Sequence, residues 1–229
     1  TVVLPQGKKN SRPVSGGFYN LNGNGEMTGQ SYLQDFGVIY GPIGISNTNA
    51  IGQVYAGIQQ WTSKNLDGAL WPVVAETYDG GLNDIEGFHV KAETAMQAID
   101  AAATGAVKEG NVGGGTGMRC FGFKGGIGTA SRQLPAAAGG FTVGVLVNAN
   151  HWRRPELVVN GVPVGQRYDP PSQVSQPLLE GSPGQSEGSI IIVIATDARL
   201  DLDPEKPGAP IDDARQILLR IKVEPDDVT

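Results

Sequence analysis

The chain of 229 residues has a single cysteine, Cys120, and only two histidines, His89 and His151. One thiol cannot close an internal disulfide, and no C-x-x-C spacing offers a zinc site. Two histidines argue against a histidine-rich metal centre. The longest apolar run, Ile190 to Ala195, is far short of the roughly 20 residues that span a bilayer as a helix. Positive charge is scarce as well. With 17 Lys and Arg against 23 Asp and Glu, the net charge is −6, which weighs against nucleic acid as a partner. The opening residues Thr1 to Lys9 lack the order of a signal peptide. These absences predict a soluble, disulfide-free protein without a metal, a nucleic-acid partner or a membrane. Its expected compartment is the cytoplasm, or the periplasm had a signal peptide been removed.

Glycine is present in excess, at 34 residues, beside 15 prolines. No Gly-X-Y period accompanies it, so collagen is excluded and tight turns with close backbone approaches are expected. Gly16 to Met27 reads as a strand entering a turn with two Asn-Gly pairs suited to positive φ. Pro42 to Thr48 is short and β-like. Ile51, Val54, Tyr55 and Ile58 recur at helical spacing behind Asn47, Thr48 and Asn49, each able to cap, which predicts a helix over about 50–64. Ala69 to Tyr78 reads as a buried strand, and Lys91 to Ala103 as a second helix. Met118 to Phe123, Gly125 to Ser131 and Thr142 to Asn150 are strand-like. Glu156 to Val164 reads as a hairpin turning at Asn160-Gly161.

Gly165 to Gly188 has no periodicity, and four Pro, four Gly and four Ser fill half of it. A loop of that length in a compact domain is commonly functional or disordered. It ends abruptly at Ser189-Ile190-Ile191-Ile192-Val193-Ile194-Ala195-Thr196, which predicts a buried central strand. Ile211 to Lys222 reads as a helix with Asp212 and Asp213 in its first turn, followed by an acidic tail. Together these elements predict one domain over 1–229, a layered α/β sandwich with helices covering stacked sheets. A doubly wound α/β sheet is the alternative, weakened by the lack of a G-x-G-x-x-G opening a helix.

Four places carry chemistry. At Gly188-Ser189 a loop runs straight into the buried strand. A cut there frees an α-amine, of ordinary pKa about 7.7–8.0, that can act as base for the Ser189 hydroxyl. Equally, Ser189 simply begins a strand. Glu76-Thr77-Tyr78-Asp79-Gly80, with Asn83-Asp84 beyond, sets carboxylates and a phenol at a strand end, where they bind a cation, orient a nucleophile or form a solvated turn. Asn148 and Asn150 close another apolar strand, and an Asn amide is a good oxyanion donor as well as a turn cap. Gly110 to Gly117 resembles a phosphate cradle but lacks the Gly-Lys-Ser/Thr that completes one, so a tight structural turn is favoured. Lys124 reads as a buried lysine or a surface charge.

Five motifs in series go further. Leu21 to Gly29, Pro72 to Asp84 (PVVAETYDGGLND), Val112 to Arg132, Gly144 to Asn150 and Gly188 to Ala198 resemble, in this order, the L-aminopeptidase/D-amidase/D-esterase family that includes the β-peptidyl aminopeptidases. The resemblance implies a four-layer α/β/β/α sandwich like that of the N-terminal nucleophile hydrolases, with different strand connectivity. It implies self-cleavage between Gly188 and Ser189 into an α chain of 1–188 and a β chain of 189–229. It implies Ser189 as nucleophile, Asn150 as oxyanion donor, Tyr78 as the active-site tyrosine and Glu76 as the acid that receives the substrate's free amino group. It also implies a peptide or amino-acid amide substrate, no cofactor, and a homo-oligomer, a tetramer of αβ units. The family starts earlier than Thr1 and continues past a β-chain helix into a turn with a second Ser and an acid, which Ile221 to Thr229 does not match.

Three readings follow. The first is an N-terminal-serine aminopeptidase or amidase. The second is a catalytically silent, uncleaved relative that binds small ligands or partners. The third is a nucleotide-binding α/β protein using Gly113 to Gly117.

Overall fold

The structure, a computed structural model, describes residues 1–9, 12–20, 25–67, 71–151, 153–167 and 188–198, and the backbone of 216–221. In chain order the elements are β1 (Val2–Val3), β2 (Val14–Asn20), α1 (Gln30–Phe36), β3 (Val38–Ile39), β4 (Ile43–Asn47), α2 (Ile51–Asn65), β5 (Val73–Thr77), α3 (Ala92–Ala101), β6 (Arg119–Cys120), β7 (Phe123–Lys124), β8 (Gly126–Gln133), β9 (Thr142–Asn150), α4 (Val164–Arg167), β10 (Ser189–Thr196) and β11 (Gln216–Ile221).

Two sheets stack. One has the order β1-β4-β5, and the other the order β3-β2-β11-β10-β9-β8. Strand alternation explains why they face each other. Ile43 and Ile45 of β4 and Val73 and Ala75 of β5 pack against Ile191 and Val193 of β10 and Val14 of β2. Ile191 is fully buried, and each such branched side chain contributes about 1.5–3 kcal/mol. The opposite face of the smaller sheet packs under two helices. Val74 joins Val54, Ile58 and Trp61 of α2 and Ala95 and Ile99 of α3. An added Cβ on Gly44 of β4 would lie 2.8 Å from Val54, so glycine lets α2 approach the sheet. Among the described residues the layers are therefore helix, sheet, sheet.

The predicted helix over 50–64 is α2, entered through a 3-10 turn at Thr48–Ala50 that Asn47 caps, with Oδ1 accepting the Ala50 N–H at 3.0 Å. The second predicted helix is α3, and Thr142–Asn150 and Ser189–Thr196 form strands with the predicted bounds. Two expectations are corrected. Within Ile211 to Lys222, Gln216–Ile221 is a strand, antiparallel to β10 and parallel to β2. The short apolar stretch fits both periods, and the open edges of β10 and β2 decide for the strand. Its neighbours 211–215 and 222, like the tail, lie outside the described residues. Glu156 to Val164 is not a strand hairpin. It is a 3-10 turn (Arg154–Glu156), one isolated bridge Val159–Val162 around Asn160-Gly161, and then α4. Most of the Gly165 to Gly188 loop also lies outside the described residues.

Candidate active site

β9 and β10 are antiparallel, and their register pairs Ser189 with Asn150, Ile191 with Asn148 and Val193 with Leu146. Because the side-chain period is two, the buried faces of Ile191 and Val193 fix where Ser189 points. It lies on the same face, at the strand's first position, where the core gives way to a half-exposed rim. Asn150 lies opposite on the last residue of β9. The core therefore ends in a polar pair.

The Asn150 side chain is fully committed. Its Nδ2 donates to Ser189 Oγ at 3.1 Å and to the Tyr78 carbonyl at 2.7 Å. Its Oδ1 accepts the Arg119 backbone N–H at 2.9 Å. A flipped amide would set its oxygen against the Tyr78 carbonyl and its nitrogen against the Arg119 N–H, so the hydrogen-bond network selects the orientation that aims N–H at Ser189. Among the described residues Ser189 Oγ has no histidine or carboxylate partner. Its hydrogen bond is with Asn150. A serine–histidine–acid relay is not what this arrangement uses.

Tyr78 joins the group by its backbone. Its side chain is 54% exposed and folds over Gly80, where an added Cβ would come within 2.6 Å of the phenol ring. Among the described residues the phenol makes no hydrogen bond, to Ser189 or otherwise. Glu76 is buried, and both its carboxylate oxygens are engaged. Oε1 accepts the Glu26 N–H at 3.1 Å and Oε2 accepts the Thr48 hydroxyl. On β5 it alternates with Thr77, which turns toward β9. The structure thus brings together Ser189, Asn150 and the Tyr78 carbonyl, and does not bring the Glu76 carboxylate into contact with them.

A second polar layer supports the first. Asn148, fully buried, donates to Thr77 Oγ1 at 2.9 Å and to the Gly114 carbonyl at 3.1 Å. Asp79, also buried, accepts from Asn47 at 3.0 Å and Asn83 at 2.8 Å, and Asn83 reaches the Thr116 carbonyl. The glycine turn 113–117 is therefore held from three sides. Four of its five N–H groups are spent, Gly114 on Thr1 Oγ1, Gly115 on Val112, Thr116 on Gly113 and Gly117 on Asn111. No set of free N–H groups remains to cradle a phosphate, so the nucleotide reading loses its site. Lys124 is exposed, a surface charge.

Sequence reasoning missed the hairpin that follows. Met118 to Phe123 is not one strand. β6 turns at Phe121 (φ 52°) and Gly122 (φ 71°) into β7. A phenylalanine at positive φ is rare, and nothing in the residue type announces it. The hairpin supplies the Arg119 N–H and sets Cys120 Sγ 3.7 Å from His151 Nε2. Burial raises the Cys120 pKa, opposed by a backbone hydrogen bond with His151. Burial lowers the His151 pKa, opposed by the charge of Glu156. Both shifts favour neutral forms, so Cys120 is not poised as a thiolate nucleophile. His151 also packs on the junction itself, because a Cβ on Gly188 would lie 2.5 Å from His151 Cα and Cβ. Among the described residues no group of three or more His, Cys, Asp or Glu side chains could hold a metal ion.

Known proteins resemble the chain over most of its length. Residues 1–204 match the family described as Peptidase family S58. A beta-peptidyl aminopeptidase, BapA, of Sphingosinicella microcystinivorans is 49% identical over 206 residues, covering 86% of this chain and 52% of the relative. BapA of Sphingosinicella xenopeptidilytica is 40% identical over 209 residues, covering 87% and 52%. The chain spans about half the length of these curated relatives. Among solved structures, the L-aminopeptidase D-Ala-esterase/amidase of Ochrobactrum anthropi superposes with a TM-score of 0.73 at 37% identity, covering 96% of this chain and 64% of that one. It is described as a new variant of the Ntn hydrolase fold, which is the fold class expected here. A beta-aminopeptidase of Burkholderia sp. superposes with a TM-score of 0.66 at 41% identity, covering 87% and 57%.

Proposed function

The chain belongs to peptidase family S58, and from that premise we propose that it is a serine-type aminopeptidase or amidase matured by self-cleavage between Gly188 and Ser189. The observation that carries the reading is the Ser189 hydroxyl, hydrogen-bonded to Asn150 and served by no side-chain base among the described residues. A serine so placed needs a base from elsewhere, and its own α-amine, once released, is the nearest.

In maturation Ser189 Oγ attacks the Gly188 carbonyl carbon, the acyl group passes from N to O, and water hydrolyses the ester. The products are a Gly188 carboxylate and a free Ser189 amine. In turnover Oγ attacks the carbonyl of the substrate's first residue while its proton passes to the Ser189 amine. The Asn150 N–H receives the oxyanion. The tetrahedral intermediate collapses, the proton passes to the leaving amine, and water hydrolyses the acyl ester. Tyr78, whose backbone carbonyl holds the Asn150 amide, is assigned the role of active-site tyrosine, and Glu76 is assigned the substrate ammonium. In that role the incoming cation competes with the Glu26 N–H and the Thr48 hydroxyl for its oxygens. The substrates are short peptides or amino-acid amides, and the working form is a homo-oligomer of cleaved units, with family membership as the support for both.

An alanyl p-nitroanilide and its N-acetyl derivative test this reading. Release of nitroaniline from the free amine alone is expected. Equal turnover of both, or of neither by a chain cut at 188/189, would overturn it.

A further inference from the structure

Arg119 brings to the site a charge that no described residue answers. Its backbone N–H fixes the Asn150 oxygen at 2.9 Å, and the nitrogen of the same amide meets Ser189 Oγ at 3.1 Å. Its half-buried side chain reaches the turn that follows Tyr78, where a Cβ on Gly81 would lie 3.2 Å from Nη2 and 3.3 Å from Cζ. The ion pairs among the described residues are His89–Asp84 and Arg153–Glu156, and neither involves it. The guanidinium makes no hydrogen bond among those residues. A partly desolvated guanidinium has five donors in a planar fork and no acceptor, so leaving it unmatched is costly. The fork's best complement is a carboxylate held by two parallel bonds.

The geometry points to Arg119 as a specificity-determining residue that receives the C-terminal carboxylate of a short peptide. This rests on the reading of Ser189 as the nucleophile. With the scissile carbonyl between Ser189 Oγ and the Asn150 amide, the carboxylate of a dipeptide lies one residue further along. That is about 3.5 Å in an extended chain, less than the span of an arginine side chain rooted beside Asn150. The chain's net charge of −6 repels an anionic substrate at long range, so a carboxylate is held only where a local cation meets it. The site accordingly prefers dipeptide acids to the corresponding dipeptide amides.

The test compares alanyl-alanine with alanyl-alanine amide, on the wild-type chain and on Arg119→Met. Arg119→Met keeps the backbone N–H that holds Asn150, and the acid-to-amide ratio of kcat/KM cancels any general loss of activity. The ratio is expected to fall by about 10- to 100-fold in Arg119→Met, the range for a charge-assisted hydrogen bond. Calorimetric binding of the reduced-bond analogues of both dipeptides, in which CH2–NH replaces the scissile amide, to the wild-type and Arg119→Met chains repeats the comparison without catalysis, and the same loss of preference is expected. Hydrolysis by the wild type with an unchanged ratio overturns the Arg119 site alone. A preference in binding that disappears with Arg119→Met, in a chain that hydrolyses neither dipeptide, upholds the Arg119 site and overturns the hydrolase reading. Neither hydrolysis nor preference overturns both.

Discussion

The Asn150 amide nitrogen donates to Ser189 Oγ across 3.1 Å, on residues that face each other in neighbouring strands. Because the Tyr78 carbonyl and the Arg119 N–H occupy the rest of the Asn150 amide, the donor cannot turn away without breaking two further hydrogen bonds. The group that is to meet a developing oxyanion is thus preorganised before any substrate arrives, which is where such a donor has its largest effect.

Replacing that donor follows directly. Asn150→Ala is expected to lower kcat on an aminoacyl anilide by about 10²–10³ with a much smaller change in KM. Steady-state kinetics measure both, and a kcat within a few-fold of wild type would remove Asn150 from the oxyanion role.

Gly188 is sterically bound to be glycine. Gly188→Ala sets a methyl 2.5 Å from two His151 carbons. Overpacking of this kind costs about 1–3 kcal/mol. Self-cleavage is expected to slow by roughly tenfold or more, followed as band conversion on a gel over time. Cleavage at the wild-type rate would show that the junction does not depend on this contact.

Asn148 supports the site from the core. Asn148→Ala leaves the Gly114 carbonyl and the Thr77 hydroxyl without their donor. The expected loss is about 1–3 kcal/mol for a buried group left unpaired, read as a lower urea midpoint at unchanged slope. Asn148→Gln, which keeps the amide but lengthens it, should recover part of that loss only if the core yields.

The fold was legible where one period dominates. Ser189–Thr196 has no polar residue between its ends, and Ile51, Val54 and Ile58 mark a single helix face. It was illegible where a segment's partner decides. Gln216–Ile221 carries apolar residues that suit either period, and it becomes a strand because β10 and β2 lie on either side. The site shows the same division. Ser189 and Asn150 stand at strand ends and can be found by alternation, as can Asn148. Arg119 acts on Asn150 through its backbone N–H, which any residue but proline would supply, so its sequence carries no signal. Phe121 at positive φ, which turns the hairpin beneath, is equally silent.

His151 makes stability depend on pH in a definite direction. Its folded pKa lies below the ordinary value of about 6.5, because burial disfavours the imidazolium. Below that value the unfolded chain takes up a proton that the folded chain resists. The stability present above about pH 6.5 is therefore lost as pH falls toward the folded pKa. The urea midpoint is expected to drop between about pH 7.5 and pH 5, with a smaller drop in His151→Gln. Identical pH dependence in the two proteins would show that His151 is not the titrating group.

The central claim is a single broken bond, and the mass of the purified chain tests it most directly. Two polypeptides, the second beginning Ser189-Ile190-Ile191, are expected from the wild type, and one uncut polypeptide from Ser189→Ala. A wild-type chain that stays whole through prolonged incubation, or a Ser189→Ala chain cut at the same place, would contradict the account.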